Sequence, residues 1–281
     1  MKALQVSRKF SPENIAIMEG ARERLITEYP LLGRDAFSMP ISPMSDEFVR
    51  KITSMGLPET ACTNGLEIWF SERFLGMLSR GEPYVVLIHE VGHKFLRHDI
   101  RRGNRDRGIW MKAADHELNL TLEAAGIPML KEALCDHRFK GMVAEDIYEV
   151  LKSEEPTEEE SQGEESGSGS GNSEDGSPET GEDSGSGGEY ELPHPSQWGS
   201  VIDQPNENGG EMSPSDVSNA DAAASIDFES TLAATKIVGV TTSGMEGAVR
   251  GIIDGSKINW REQMADFADA IPGATDGLNY T

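Results

Sequence analysis

The chain has 281 residues and a formal net charge of −24, which argues against nucleic acid or an anionic membrane as a partner of its whole surface. Its two cysteines, Cys62 and Cys135, exclude a disulfide framework and fit a reducing compartment. The sequence has no apolar run of the roughly 18 residues that span a bilayer, and its first residues lack the apolar core of a signal peptide. We therefore expect a cytoplasmic protein with no membrane partner.

The first third of the chain predicts short helices around a β-hairpin. Ser11-Pro12-Glu13 is a typical helix start, with an N-cap serine and a proline at the first helical position. Asn64-Gly65 separates two apolar stretches, a strong signal for a hairpin with a two-residue turn. In chain order we expect a helix over 12–29, an extended segment over 37–44, a helix over 46–55, a hairpin over 60–70 and a helix over 72–78. The hairpin edge could pair with an extended peptide, or it could be only a wall of the core.

The next predicted helix, over 84–102, contains the pattern H-E-x-x-H. Its three defining residues are His89, Glu90 and His93. Side chains four residues apart share one face of a helix, so both imidazoles point at the same spot. Two imidazole nitrogens at this spacing can bind one zinc ion, with Glu90 beside it as the general base for a zinc-activated water. The pattern therefore predicts a zinc-dependent peptidase site.

A catalytic zinc ion usually has three protein ligands, so a third ligand is expected elsewhere in the chain. Asp115 is the preferred candidate, because the connection over 102–109 is long enough to return the helix over 110–125 antiparallel to the first one. The remaining candidates are His116, Glu117 and Asp99.

Other polar residues are candidates for supporting roles. Asn119 lies one helical turn beyond the preferred third ligand, and we expect it to orient a ligand by hydrogen bonding. His98, His137 and Tyr148 are the candidates for stabilising an oxyanion, and the sequence does not choose among them. His98 lies about 140° around the helix from His93, so we expect its side chain to point away from the metal.

The rest of the chain predicts three parts. Residues 1–151 form the candidate catalytic domain, which a helix over 143–151 closes. Residues 152–214 form an acidic linker, rich in Gly, Ser and Glu, that is too polar to bury a core and is expected to be disordered. Residues 215–281 form a helical segment, with helices expected over 217–240, over 244–253 and from 258. If that segment folded back over the cleft, it would block the site.

The run from 60 to 151 resembles the metallopeptidase-like domain found N-terminal to von Willebrand A-like domains in bacterial and phage proteins. The matching motifs are T-A-C-T-N-G, L-I-H-E-V-G-H-K-F-L-R-H, the tryptophan before A-A-D-H-E-L-N, and A-E-D-I-Y-E-V-L. The acidic linker and a late W-R-E-Q-M are also similar to that family. The resemblance implies an α+β, zincin-like fold, with His89, His93 and Asp115 as zinc ligands and Glu90 as the general base. The sequence has no D-x-S-x-S motif, so we expect no von Willebrand A-like domain within it.

Two functions are compatible with these features. The first is a zinc metallopeptidase that hydrolyses a protein or peptide in the cytoplasm of a bacterium or a phage-infected cell. The alternative is a catalytically silent, zinc-stabilised binding module that recruits a protein partner through the linker or the C-terminal helices. Five arginines between 97 and 107 are either a solvated basic loop or a site for a phosphate or carboxylate.

Overall fold

The computed structural model describes residues 6–7, 9–155 and 191–237. In these residues, helices pack around one small three-stranded sheet, an α+β arrangement. The helices and strands are α1 Pro12–Glu28, α2 Pro30–Ser38, β1 Ile41–Pro43, α3 Asp46–Ser54, β2 Ala61–Thr63, β3 Ile68–Phe70, α4 Glu72–Met77, α5 Glu82–Phe95, α6 His98–Arg101, α7 Arg107–Ala124, α8 Ala144–Glu154 and α9 Pro214–Ile237. Within this part of the chain, no helix is both long and apolar enough to cross a membrane.

The N-terminal helices α1 and α2 pack against each other and against α5. Ser11 caps α1, since its side-chain oxygen accepts a hydrogen bond from the backbone N–H of Asn14 at 3.2 Å. Pro30 begins α2, which the sequence pattern did not predict, because a proline just after a helix is a common stop signal as well as a favoured first helical residue. The extended segment predicted over 37–44 is therefore wrong at its start, and only β1 is a strand.

The hairpin prediction is confirmed, but its turn is longer than predicted. β2 and β3 pair antiparallel with Thr63 opposite Ile68, which leaves a four-residue loop between the strands. The Asn64 side-chain oxygen caps this loop by accepting the backbone N–H groups of Leu66 and Glu67, both at 3.0 Å. Gly65 has a positive φ of 76°, a conformation that favours glycine. β1 lies parallel to β3, so β2 is at one edge of the sheet.

The helix predicted over 84–102 is broken after Phe95. α5 ends at Phe95, and Arg97 has the left-handed backbone conformation with φ of 60°. The short helix α6 then starts in a new direction at His98. The sequence pattern did not show this break, because neither glycine nor proline marks it.

Residues 191–213, which the sequence analysis placed in the linker, contain a segment packed against the domain. Trp198, Val201 and Ile202 are 5%, 4% and 8% exposed, although their neighbours in sequence are mostly polar. Their apolar side chains gain enough by burial to order this stretch. α9 corresponds to the helix predicted over 217–240, and its Phe228 and Leu232 pack with Leu31 of α2. The part of the predicted linker over 156–190 and the helices expected over 244–253 and from 258 lie outside the described residues.

Two glycines provide a test of the α1–α2 packing. A Cβ on Gly33 would lie 2.4 Å from the backbone Cα of Ile26, whereas a Cβ on Gly20 meets no atom within 4 Å. We expect Gly33→Ala to lower the free energy of unfolding by about 1–3 kcal/mol, because the two helices must separate. Gly20→Ala should raise it by about 0.5–1 kcal/mol, because alanine is the better helix former. Urea denaturation measures both changes, and the same sign for both variants would contradict this packing.

Candidate metal centre

Two helices bring three candidate ligands together in the interior. The Nε2 atoms of His89 and His93 on α5 are 3.0 Å apart. Asp115 on α7 places Oδ1 3.5 Å from Nε2 of His89 and 3.3 Å from Nε2 of His93. The helices can approach because Gly92 has no side chain, and a Cβ there would lie 2.4 Å from a methyl of Leu118 on α7. Gly92 therefore leaves room for α7.

The three distances fit a single metal ion. Two ligands that are each about 2.0–2.1 Å from a tetrahedral ion are themselves about 3.3 Å apart. The observed separations of 3.0, 3.3 and 3.5 Å lie close to that value. His89, His93 and Asp115 are only 3%, 0% and 5% exposed, and Oδ1 of Asp115 has no hydrogen-bond donor. Such a buried group of two imidazoles and a carboxylate could hold a metal ion.

Glu90 lies beside this group and is completely buried. Burial, and then the nearby charge of Asp115, raise the pKa of Glu90 well above its ordinary value. The backbone N–H of Ser200 opposes that shift, but neither carboxylate oxygen makes a hydrogen bond of normal geometry. Glu90 is thus a carboxylate with free acceptor positions next to the three candidate ligands.

A chain of hydrogen bonds behind His93 fixes which of its nitrogens is free. Nδ1 of His93 is 2.9 Å from Nδ1 of His98, and Nε2 of His98 is 3.0 Å from Oε2 of Glu117. Burial lowers the pKa of His93 to about 3 and also lowers that of His98, so both rings are neutral near neutral pH. Since a carboxylate can only accept, His98 must donate from Nε2 and accept at Nδ1, and His93 must donate from Nδ1. The lone pair of His93 Nε2 is then directed at the candidate metal site.

Glu117 is the charged acceptor at the end of this series of hydrogen bonds. Burial alone would raise the pKa of Glu117, but Arg101, His98 and the backbone N–H of Ala144 more than offset it and hold the pKa at about 2. Arg101 contacts Oε2 of Glu117 at 3.1 Å and also pairs with Glu145 at 2.5 Å. The charge of Glu117 is therefore compensated inside the domain.

His98 is not one of the three candidate ligands, but its ring contacts His93 rather than another part of the domain. The turn at Arg97 redirects the chain after α5, so the helical angle of an unbroken helix does not apply. The indole N–H of Trp110 on α7 donates to the backbone oxygen of His98 at 3.3 Å and helps to hold it there. One feature of the sequence is consistent with this arrangement. Glu117 lies on the face of α7 opposite to Asp115, and an acid buried on that face requires a partner.

The other residues considered from sequence have different partners. Asn119 makes no hydrogen bond to the three candidate ligands, because its amide nitrogen donates to the backbone oxygen of Leu134 at 2.9 Å. His116, an alternative third ligand, accepts the backbone N–H of Asp136 at 3.2 Å. The carboxylate of Asp99, the other alternative, lies against Gly65.

The three oxyanion candidates are also engaged elsewhere. Both ring nitrogens of His98 belong to the chain behind His93. His137 is exposed and pairs with Glu123 at 2.9 Å, in a surface group with Cys135 that could also hold an ion. The hydroxyl of Tyr148 accepts the backbone N–H of Asp106 at 2.9 Å. The described residues therefore give none of the three a place beside Glu90.

The arginine cluster is occupied by groups of the chain itself. Arg102 and Arg107 both pair with Asp203, at 2.7 and 3.0 Å. Arg97 pairs with Asp221 on α9, and Arg105 donates to two backbone oxygens. Together with the pairing of Arg101, these contacts argue against the phosphate site considered from sequence.

A family model described as a "putative metallopeptidase domain" matches residues 17–277. The chain belongs to this family. The match covers both helices of the candidate metal centre and the segment beyond the acidic stretch. No curated protein matched the chain, and no solved structure matched it. Membership implies a metal-dependent hydrolase that acts on proteins or peptides, and the buried His-His-Asp group could supply the metal site.

The hydrogen bond from His93 to His98 should contribute to metal affinity. We expect His98→Ala to weaken binding of a divalent metal ion by about 10–100-fold, because residues that orient a metal-binding histidine have effects of this size. His194→Ala, at an exposed histidine outside both groups of candidate ligands, is the matched control. Competition with a chromophoric chelator measures the affinity. Equal affinity in the His98→Ala and parent chains would show that the orientation of His93 does not depend on this bond.

Asp99 should make stability depend on pH. Its carboxylate has no hydrogen-bond donor, and burial raises its pKa from 3.8 to about 6. Its stabilising contribution is therefore complete below about pH 4 and is lost as the pH rises through about 6. We expect Asp99→Asn to be more stable than the parent by roughly 2–3 kcal/mol near pH 8, and the difference to vanish near pH 4.

Chemical denaturation at several pH values tests this dependence. The exposed substitution Glu149→Gln on α8 is the control, and it should change stability by less than about 0.5 kcal/mol at each pH. A constant difference between Asp99→Asn and the parent from about pH 4 to 8 would contradict the buried charge.

Proposed function

We propose that this chain is a zinc-dependent peptidase. His89, His93 and Asp115 would hold the zinc ion, and Glu90 would be the general base. The observation that supports this most directly is the convergence of the three ligand atoms, 3.0–3.5 Å apart, beside a buried glutamate with free acceptor positions. The family description supports the reaction class.

Zinc is the metal that best suits this donor set. Two imidazole nitrogens and one carboxylate oxygen are typical zinc ligands, whereas calcium and magnesium prefer oxygen ligands alone. Three protein ligands also leave one position free, as in catalytic zinc sites. A zinc ion held there would supply Lewis-acid chemistry, which polarises a peptide carbonyl and makes water a stronger nucleophile near neutral pH.

The side chains would then position and move protons. Glu90 accepts a proton from the attacking water on one carboxylate oxygen and passes it to the leaving amine. Burial and the charge of Asp115 raise its pKa, which makes it a stronger base than an ordinary carboxylate. His98 and Glu117 keep the lone pair of His93 Nε2 directed at the metal. Cytoplasmic action is part of the proposal and rests on the two free cysteines.

Metal content and hydrolysis together test this function. The parent chain should carry about one zinc ion, and His89→Ala and Asp115→Ala should lose it, because two protein ligands bind zinc much more weakly than three. Glu90→Gln should keep the zinc and lose about 10²–10⁴-fold in hydrolysis, because glutamine cannot accept the proton. Elemental mass spectrometry and a quenched-fluorescent peptide library measure the two quantities, with His194→Ala as the control.

A chain that binds zinc through these residues but hydrolyses nothing in any form would favour the alternative function. In that case the zinc would hold α5 and α7 together, and the chain would serve as a binding module. The near-complete burial of the three ligands is the observation that favours this alternative. Retention of hydrolysis by Glu90→Gln would exclude the proposed general base.

A further inference from the structure

A short segment that follows the acidic stretch lies directly over the candidate metal centre. We call residues 198–203 the strap. The Cβ of an alanine at Gly199 would lie 2.4 Å from Oε1 of Glu90 and 2.5 Å from Cδ2 of His89. The φ of Gly199 is not in the left-handed range, so the backbone conformation does not require glycine. Glycine is required because the strap passes too close to the two side chains for a Cβ to fit.

The strap pairs with the free edge of the sheet. The N–H of Thr63 on β2 donates to the backbone oxygen of Ser200, and the N–H of Ile202 donates to the backbone oxygen of Thr63, both at 2.9 Å. The Ser200 hydroxyl adds a bond to the backbone oxygen of Ala61 at 3.0 Å. Val201 thereby lies opposite Thr63 as a parallel bridge. This is the hydrogen-bonding pattern by which a sheet edge binds an extended peptide.

Side chains hold the strap at both ends. Trp198 is 5% exposed and packs edge-on against Phe74, with ring centroids 5.6 Å apart. Ile202 lies in a small apolar cluster that includes Cys62 of β2. Asp203 forms ion pairs with Arg102 and Arg107. The strap therefore resembles a bound peptide with a glycine over the metal centre and an apolar anchor on each side.

We propose that the strap is an internal occupant of the substrate-binding edge, and that a substrate peptide must displace it to reach Glu90. This inference rests on the proposed function, because a peptidase needs an accessible metal centre and the three candidate ligands are almost fully buried. The preferred substrate segment then has the chemistry of the strap: an extended peptide with glycine at the position that faces Glu90 and a large apolar residue just before it. The edge of β2 is the binding surface in both states.

Peptide binding in trans tests this proposal without requiring hydrolysis. The probe is a fluorescein-labelled peptide with the sequence of residues 195–205, Pro-Ser-Gln-Trp-Gly-Ser-Val-Ile-Asp-Gln-Pro. All proteins carry Glu90→Gln, so that the probe stays intact. Gly199→Ala should release the strap, whereas Gly210→Ala is a matched control because its Cβ meets only ordinary contacts. Fluorescence anisotropy measures binding to the full-length chains.

We expect the chain with Gly199→Ala to bind the probe at least tenfold more tightly than the chain with Gly210→Ala. The intact strap competes as a tethered ligand, whose effective concentration is of the order of millimolar. A second probe with alanine in place of its glycine should bind at least tenfold more weakly than the first. Equal binding of the first probe by both chains would overturn the proposal, whether or not the enzyme hydrolyses any substrate.

Hydrogen exchange in the parent chain provides a test that needs no variant. If the strap is displaceable, the amide of Ile202 exchanges through a local opening, at least tenfold faster than the amide of Val91 on α5. Its rate should also change little at low urea concentrations, because a local opening exposes little surface. Exchange of Ile202 only through global unfolding, with the urea dependence of Val91, would show that the strap is a permanent part of the core and would overturn the proposal.

Discussion

The polar groups at the centre of this domain are buried together, and each one depends on the next for its hydrogen bond. Glu117 is the fixed point, because its negative charge inside the protein requires the positive charge of Arg101. Because Glu117 is charged, His98 donates to it from Nε2 and accepts at Nδ1. His93 must then donate from Nδ1, which leaves its Nε2 free. Removing one partner of a buried ion pair typically costs about 3–5 kcal/mol, so this constraint is a strong one. The orientation of a candidate ligand on α5 is thus set by a carboxylate on α7.

The parts of this arrangement that follow from local periodicity could be predicted from sequence. H-E-x-x-H places two imidazoles on one helical face at any helical site, and Asp115 follows from the return of an antiparallel helix. The role of His98 could not be predicted in this way. It depends on the left-handed conformation of Arg97, a residue that gives no local signal for a turn. The same helical spacing predicts that Asn119 orients a candidate ligand by hydrogen bonding. Its amide nitrogen donates to the backbone oxygen of Leu134 instead.

The packing of the strap could not be predicted from sequence for a different reason. Composition averaged over a long polar stretch predicts disorder, and three buried apolar side chains within it do not alter the average. The free edge of β2 gives those residues a place to pair, and a sheet edge is a property of the tertiary structure. The hairpin was recognised from Asn64-Gly65, but its role beside the metal centre depends on a segment more than 130 residues later in the chain. Contacts over such separations leave no periodic pattern in the sequence.

The break at Arg97 connects the metal centre to the C-terminal part of the chain. The guanidinium of this residue pairs with Asp221 and reaches Ser225 on α9 at 3.1 Å, while its backbone makes the turn that directs His98 toward His93. A left-handed conformation is unfavourable for arginine by about 1–2 kcal/mol, and the contacts with α9 offset that cost. The strap binds the other side of the same region through Arg102. The residues beyond the acidic stretch thus contact the region of the candidate metal centre twice: the strap covers the centre, and α9 stabilises the turn that orients one of its candidate ligands. Displacement of the strap would expose the centre while α9 continues to hold that turn, so opening need not disorder the candidate ligands.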